Sequence, residues 1–405
     1  MKRKLSVLLI LAAFAGIASA QSNVQIYGVM NAGLSYVDTV ATPSTASPRA
    51  TGSRSSLDSG QYTQSRFGFK GTEDLGDGLK AYFTLEGGIG IDTGASSQGG
   101  LTFGRKTVVG LSGKFGEIEL GRRKDFSDEI AGMYSSQNRM LPFVSKAHGN
   151  NLDRASGERG SNMIYYSSPT ISNFRANLAY AFGETAGDSS TGQSIGLGAN
   201  YDNGPFGIGF SYWQSKLGVV TATANSSSDA GATSNAGCNT VGLGKPGDTC
   251  IETWMLGANY DTGNIVFRGT LSQAKQPLIT TAGPLAPNFT TTFTSTAGTG
   301  LFTAGGSNNS KATIVDVGLD YTIGEWKLKG SIIHSRYDFV KATNRGRLTA
   351  LAAGADYNLS KRTLLYVMFA NMQASNMYSP GLTSNGAPGI DNSQNVLIGG
   401  ILHKF

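Results

Sequence analysis

Apolar and polar side chains alternate along this chain with a period of two. Phe174, Ala176, Leu178, Tyr180 and Phe182 interleave with Arg175, Asn177, Ala179 and Ala181. The same rhythm runs through Ile195, Leu197, Ala199 and Tyr201, and through Trp254, Leu256, Ala258 and Tyr260. It recurs in Val315, Val317, Leu319 and Tyr321. Leu79, Ala81, Phe83 and Leu85 alternate with Lys80, Tyr82, Thr84 and Glu86. Successive side chains of a strand point to opposite faces, so each stretch predicts a strand with one apolar and one polar face. Gly76-Asp77-Gly78, Lys114-Phe115-Gly116 and Asn203-Gly204-Pro205 are short connections with residues that suit tight hairpins. Long connections lie near 38–60, 123–158, 218–250, 276–311 and 374–393, with lesser ones near 91–99, 185–192 and 339–346. The pattern predicts an all-β chain of about sixteen strands in which short turns alternate with long loops.

Two architectures use such strands. A soluble sandwich buries the apolar face in a shared core, whereas a membrane barrel turns it outward and keeps the polar face wet. Tyr201, Tyr260 and Tyr321 each sit just before a short turn, at the height an interfacial aromatic girdle requires. The stretches match the ~9–11 residues a tilted strand needs to cross a bilayer. In hydrocarbon no backbone group can be left unpaired, so such a sheet must close. The expectation is a transmembrane antiparallel β-barrel.

Composition narrows the choice further. Hydrophobic residues are 39% of the chain, charged residues 15% and mean hydropathy −0.14, which excludes a polytopic helical membrane protein. The long apolar run is Leu5 to Ala15, preceded by Lys2, Arg3 and Lys4 and followed by Ala18-Ser19-Ala20. That order predicts an export signal over 1–20 and a barrel domain over 21–405. Removing the signal's three bases takes the net charge from +6 to +3, and no basic cluster points to nucleic acid. Cys238 and Cys250 flank a polar stretch; an exported chain permits a disulfide there, with two free thiols as the alternative. Three His residues give no metal-ligand spacing, and no phosphate-binding glycine loop opens a helix, so no metal or cofactor is expected. His334 is the one His in the middle of a predicted strand; Ser331 and Ser335 fall on the opposite face, which leaves no nucleophile–base pair. The chain is therefore not expected to be an enzyme.

The chain ends at Phe405, with His403, Ile401, Gly399 and Leu397 on the same face, and this end resembles the outer-membrane assembly signal. Residues 65–90, from Ser65-Arg66-Phe67-Gly68-Phe69-Lys70-Gly71 onward through Leu85-Glu86, resemble the signature of Gram-negative general porins of the betaproteobacterial type. Phe103-Gly104-Arg105, Val109-Gly110-Leu111, Leu120-Gly121-Arg122 and Leu402-His403-Lys404-Phe405 are similar to the same family. The resemblance covers the whole mature chain. It implies a sixteen-stranded barrel in the outer membrane, usually a homotrimer, that passes small hydrophilic solutes and ions by diffusion. Outer-membrane lipids, lipopolysaccharide and the assembly machinery are its implied partners. Gly28 and Ala32 leave room on the outer face for a neighbouring copy. A substrate-specific channel or a surface adhesin barrel is the alternative, and the Thr/Ser/Gly-rich 276–311 connection suits a variable exposed surface.

The resemblance also implies that the third long loop, 123–158, folds into the lumen. Asp125, Asp128, Glu129, Asp153 and Glu158 would then face basic side chains on the barrel wall. Parity supplies some of those bases: Arg66 and Lys70 oppose Phe67 and Phe69, and Arg175 opposes Phe174 and Ala176. Arg105 shares a face with Phe103, so its inward placement rests on the family pattern. Arg122 precedes the loop and Arg159 opens the strand after it.

Overall fold

A computed structural model describes residues 23–41, 51–136, 159–216, 245, 247–275, 309–339, 345–375 and 393–405. Its strands are β1 (Asn23–Ala41), β2 (Thr51–Ser59), β3 (Arg66–Gly76), β4 (Leu79–Gly88), β5 (Lys106–Gly113) and β6 (Gly116–Lys124). There follow β7 (Arg159–Ser167), β8 (Phe174–Ala181), β9 (Ser194–Asn203), β10 (Phe206–Lys216), β11 (Thr249–Asp261) and β12 (Ile265–Lys275). The last are β13 (Asn309–Ile323), β14 (Trp326–Phe339), β15 (Gly346–Asn358), β16 (Thr363–Ser375) and β17 (Ser393–Lys404). One helix, α1 (Phe126–Tyr134), follows β6.

All the pairings are antiparallel, and β1 pairs with β17 from Val29↔Lys404 to Val37↔Val396, so the sheet closes on itself. The first part of β1 pairs with β3 (Asn23↔Thr72 to Val29↔Arg66) and the rest with β2 (Ala32↔Ser59 to Ala41↔Thr51). β2 and β3 thus share one place in the wall, which makes a sixteen-stranded barrel with one strand split in two. The expected long connection at 38–60 is shorter than the sequence suggested, because β1 runs to Ala41 and β2 occupies 51–59. Most of the other long connections fall outside the described residues, as do Asp153, Glu158 and Cys238. Cys250 lies at the start of β11.

The outward side chains are apolar and exposed: Leu111, Leu120, Ile164, Leu178, Leu197, Phe210, Leu256, Val317, Ile332, Val367 and Leu397 among them. An apolar surface that runs right around a sheet far exceeds the few hundred Å² a soluble monomer exposes, and it matches a hydrocarbon layer. At the short-turn end this band closes on paired rings. Phe174 pairs with Tyr201, and Tyr260 with both Phe206 and Phe267. The Trp326 and Tyr357 rings lie 4.8 Å apart. Phe405 seals the seam: its N–H donates to the Gly28 carbonyl at 3.1 Å and its own carbonyl accepts from the Gly28 N–H at 3.1 Å. Its ring lies where a Cβ on Gly28 would be. Gly28 is therefore a seat for the C-terminal ring and not the open space for a second copy that the sequence suggested.

The one-apolar, one-polar rule fails on β13–β17. Ile314, Ile333, Leu348, Ala350, Met368, Met372, Val396 and Ile398 point inward, opposite the outward Val315, Ile332, Leu351, Val367 and Leu397. Toward their long-connection ends these strands are apolar on both faces, and the eight inward residues are 0–1% exposed; nearer the short turns Asp316, Asp320, Lys329 and Asp356 hold inward positions.

Candidate functional site

The inward face of β3–β7 is charged. The parity of β3 turns Arg66 inward and the parity of β4 turns Glu86 inward, where the Glu86 carboxylate meets two guanidinium groups. Arg105 Nε donates to Glu86 Oε1 at 2.8 Å, and Arg66 Nε lies 3.6 Å from Oε2. Tyr27 adds its hydroxyl to the same carboxylate at 3.1 Å. Arg159, 1% exposed, donates from Nε to the Arg105 carbonyl at 3.1 Å. Arg66 and Arg105 thus share the Glu86 carboxylate, and Arg159 packs against the Arg105 backbone beside them. Arg105 precedes the first residue of β5, so strand parity does not govern it; the chain turns it inward instead.

A second group lies beside the first. Glu119 on β6 accepts from Lys106 Nζ at 2.7 Å and from Arg123. Arg123 also pairs with Glu129 of α1, and its guanidinium carbon lies 3.4 Å from the centroid of the Tyr165 ring. Tyr165 in turn donates to Glu129 at 2.6 Å. Arg122 donates to the Gly104 carbonyl at 2.8 Å and to the Ser161 hydroxyl at 2.9 Å. Two predicted bases stand apart. Lys70 lies 5.4 Å from the centroid of the Tyr27 ring, and Arg175, 40% exposed, faces Glu117 at 3.6 Å.

The start of the 123–158 connection is helical for local reasons. Asp125 caps α1 by accepting from the Asp128 N–H at 3.1 Å. Asp128 and Glu129 place negative charge in the first turn, where it opposes the helix dipole. Phe126, Ile130 and Tyr134, spaced four apart, form the buried face. Glycines receive that face: a Cβ on Gly198 would meet the Phe126 ring, and one on Gly209 or Gly257 would meet Tyr134. These glycines are on the inward side of β9, β10 and β11, opposite the exposed Leu197, Phe210 and Leu256. Beyond the helix, Asp316 on β13 accepts from Ser135 Oγ at 2.5 Å, from the Ser136 N–H at 2.9 Å and from the Ser136 hydroxyl. Of the predicted loop acids, Asp125 is a buried cap, Asp128 pairs with Lys124 and Glu129 pairs with Arg123. The carboxylate that meets Arg66 and Arg105 is Glu86 of the wall.

Sequence reasoning did not single out the segment between β2 and β3. Gly60 to Ser65 leaves the wall and crosses the inner face of β1, where Asn31 Oδ1 accepts from the Tyr62 N–H at 2.8 Å. At one end Gln64 accepts from Arg105 and the Gln64 carbonyl accepts from Arg66 Nη1 at 3.0 Å. At the other, the Tyr62 hydroxyl donates to Asp356 at 2.7 Å beside Lys329, whose Nζ is 2.5 Å from Asp356. Six residues therefore connect the arginine cluster with an ion pair on β14 and β15. Parity alone marks Glu86 as inward; no sequence signal marks Tyr62 or Gln64, because the break in the strand carries no pattern of its own.

A family model described as Gram-negative porin matches residues 7–376. Outer membrane porin protein 32 of Delftia acidovorans is 36% identical over 283 residues, which is 65% of this chain and 77% of that one. An outer membrane porin protein of Bordetella pertussis is 27% identical over the full length of both. Among solved structures, an anion-selective porin from Comamonas acidovorans superposes with a TM-score of 0.68 at 26% identity, covering 95% of this chain and all of that one.

Proposed function

The chain belongs to the Gram-negative porin family, and on that premise we propose that this outer-membrane channel favours small anions among the hydrophilic solutes it passes, with the preference set at Arg66, Arg105 and Arg159. The observation that carries the reading is the pairing of Arg66 and Arg105 with Glu86, with Arg159 bonded to the Arg105 carbonyl beside them. Rings of fixed charge set ion preference in a water-filled pore. Salt at about 0.15 M screens charges beyond ~8 Å, so the bases nearest the narrowest passage dominate. The anion selectivity in the name of the Comamonas relative points the same way.

We assign the narrowing to the 123–158 connection. Its beginning lies on the inner wall through α1 and through the serines held by Asp316. Lys70, Arg122 and Arg175 extend the basic lining, and Asp125, Asp128, Glu129, Asp153 and Glu158 are the connection's own acids. A fixed positive cluster across a narrow gap orients water, so an apolar solute must disrupt ordered water while a small anion passes. The proposal includes removal of 1–20 on export and a homotrimer in contact with lipid and lipopolysaccharide. It also includes assembly through the strand that ends at Phe405 and a Cys238–Cys250 bridge.

Planar-bilayer recordings in a KCl gradient test the reading. The wild type is expected to give large ohmic openings with a reversal potential on the chloride side. Arg66→Ala should move that potential toward zero by a severalfold drop in the chloride-to-potassium ratio. An unchanged reversal potential removes the assignment, and absent conductance favours an adhesive barrel.

A further inference from the structure

The long-connection end of β12–β15 is basic on its outer, lipid-facing side. Outward Leu271, Val315, Ile332 and Leu351 are apolar and exposed, and four residues further along each strand stand Lys275, Lys311, Arg336 and Arg347, on the same face by parity. The register sets like charges opposite one another: Lys275 pairs with Lys311, and Arg336 with Arg347. Directly opposed side chains of an antiparallel pair lie ~4.5–5.5 Å apart at Cβ, where like charges destabilise the pair. Asp338 offsets part of this repulsion, with Lys311 Nζ 2.9 Å from one carboxylate oxygen and Arg345 Nε 3.0 Å and Arg336 Nε 3.8 Å from the other. Glu252 stands opposite Lys275 on the same outward face. Five bases thus share two acids, and Arg336 and Arg345 keep 42% and 58% of their side-chain surface exposed. Between the basic row and the apolar band runs a polar row of Gln273, Thr313, His334 and Thr349, in which His334 Nδ1 lies 3.0 Å from Thr349 Oγ1.

We propose that this rim binds the phosphate groups of lipopolysaccharide, the phosphorylated glycolipid of the external leaflet, with Arg336 and Arg347 at the centre of the site. Long connections of outer-membrane barrels are extracellular, so the basic row faces that leaflet. Four residues at ~3.4 Å of rise carry it ~14 Å along the strand from the apolar band. A strand tilt of ~35–45° makes that a height of about 10 Å, above the acyl chains and level with headgroups. A phosphate between two opposed guanidinium groups turns a repulsion into two charge-assisted pairs, and the guanidinium fork matches phosphate oxygens bidentately. The site points away from the lumen, so it adds nothing to ion preference. The inference rests on the contact with lipopolysaccharide proposed above and names the residues that make it.

Native mass spectrometry of the folded porin with added bisphosphorylated lipid A tests it. The wild type should keep the lipid through detergent exchange, should keep at least fivefold less of a lipid A stripped of its phosphates, and should not release the lipid to millimolar inorganic phosphate. Arg336→Gln combined with Arg347→Gln should lower retention about tenfold. Lys361→Gln combined with Arg362→Gln removes the same charge at the short turn between β15 and β16 and should retain the lipid as the wild type does. Urea unfolding in lipid-free detergent should show the Arg336/Arg347 variant at least as stable as the wild type, because it loses a like-charge pair. Equal retention in the two double variants overturns the site, and equal retention of the stripped lipid overturns the phosphate assignment. Release by inorganic phosphate makes this a site for the free ion and overturns the lipid. No lipid A held by the wild type overturns both the site and the contact it rests on. The reversal potential of the Arg336/Arg347 variant should equal that of the wild type, which keeps this test apart from that of the ion preference.

Discussion

Side chains that point inward from β3–β7 are charged and bonded to one another: Arg66 and Arg105 to Glu86, Lys106 and Arg123 to Glu119. Those that point inward from the long-connection halves of β13–β17, such as Ile333, Leu348 and Met372, are apolar and closed to water. The same barrel therefore uses its interior in two ways. One arc lines its interior with paired charges, and the long-connection half of the other packs like the core of a soluble protein. Charge is tolerated in the first arc because each group has a partner or water, whereas an isolated charge in the second would have neither. The Tyr62–Gln64 segment joins the two arcs, since it touches Arg105 at one end and Asp356 near Lys329 at the other.

A carboxylate placed in each arc tests this difference most strongly. Ile333→Asp should destabilise the barrel by about 3–5 kcal/mol, the cost of an unpaired buried charge. Thr84→Asp, inward on β4 beside Lys70, should cost under about 1 kcal/mol. Urea unfolding in lipid vesicles measures both, and similar losses would erase the distinction between the arcs. Arg105→Gln leaves Glu86 with Arg66 as its paired base, and the chloride-to-potassium ratio should fall about fivefold. That factor is about 1 kcal/mol, well inside the ~4 kcal/mol that two unit charges reach at 4 Å near a protein surface. Gln64→Ala removes one bond to Arg105 but no charge, and should change the ratio by less than about twofold, under about 0.4 kcal/mol. An effect of Gln64→Ala as large as that of Arg105→Gln would mean that the segment at 60–65, and not the arginine, sets the preference.

Much of the wall was legible in the sequence because strand parity is local. Leu79, Ala81, Phe83 and Leu85 against Tyr82, Thr84 and Glu86 told the two faces of β4 apart. Parity failed where the chain leaves regular pairing: at Arg105 before β5, and at Gly60 to Ser65 between β2 and β3. It does not extend to β15 and β16, where Leu348, Ala350, Met368 and Met372 are inward and apolar as well. Gly28 was read as free space, whereas Phe405, hundreds of residues away, fills it.

The period of two, the turn chemistry and the terminal Phe405 determined an antiparallel barrel with an apolar exterior, because each depends only on neighbouring residues. The partners of its charges were decided by closure of the sheet. Glu86 meets Arg66 and Arg105, Arg159 meets the Arg105 carbonyl, Asp316 meets Ser135, and Tyr62 meets Asp356 only once separate strands take adjacent places in a ring. A local pattern fixes which way a side chain points, and only the shared register of all the strands fixes what it finds there.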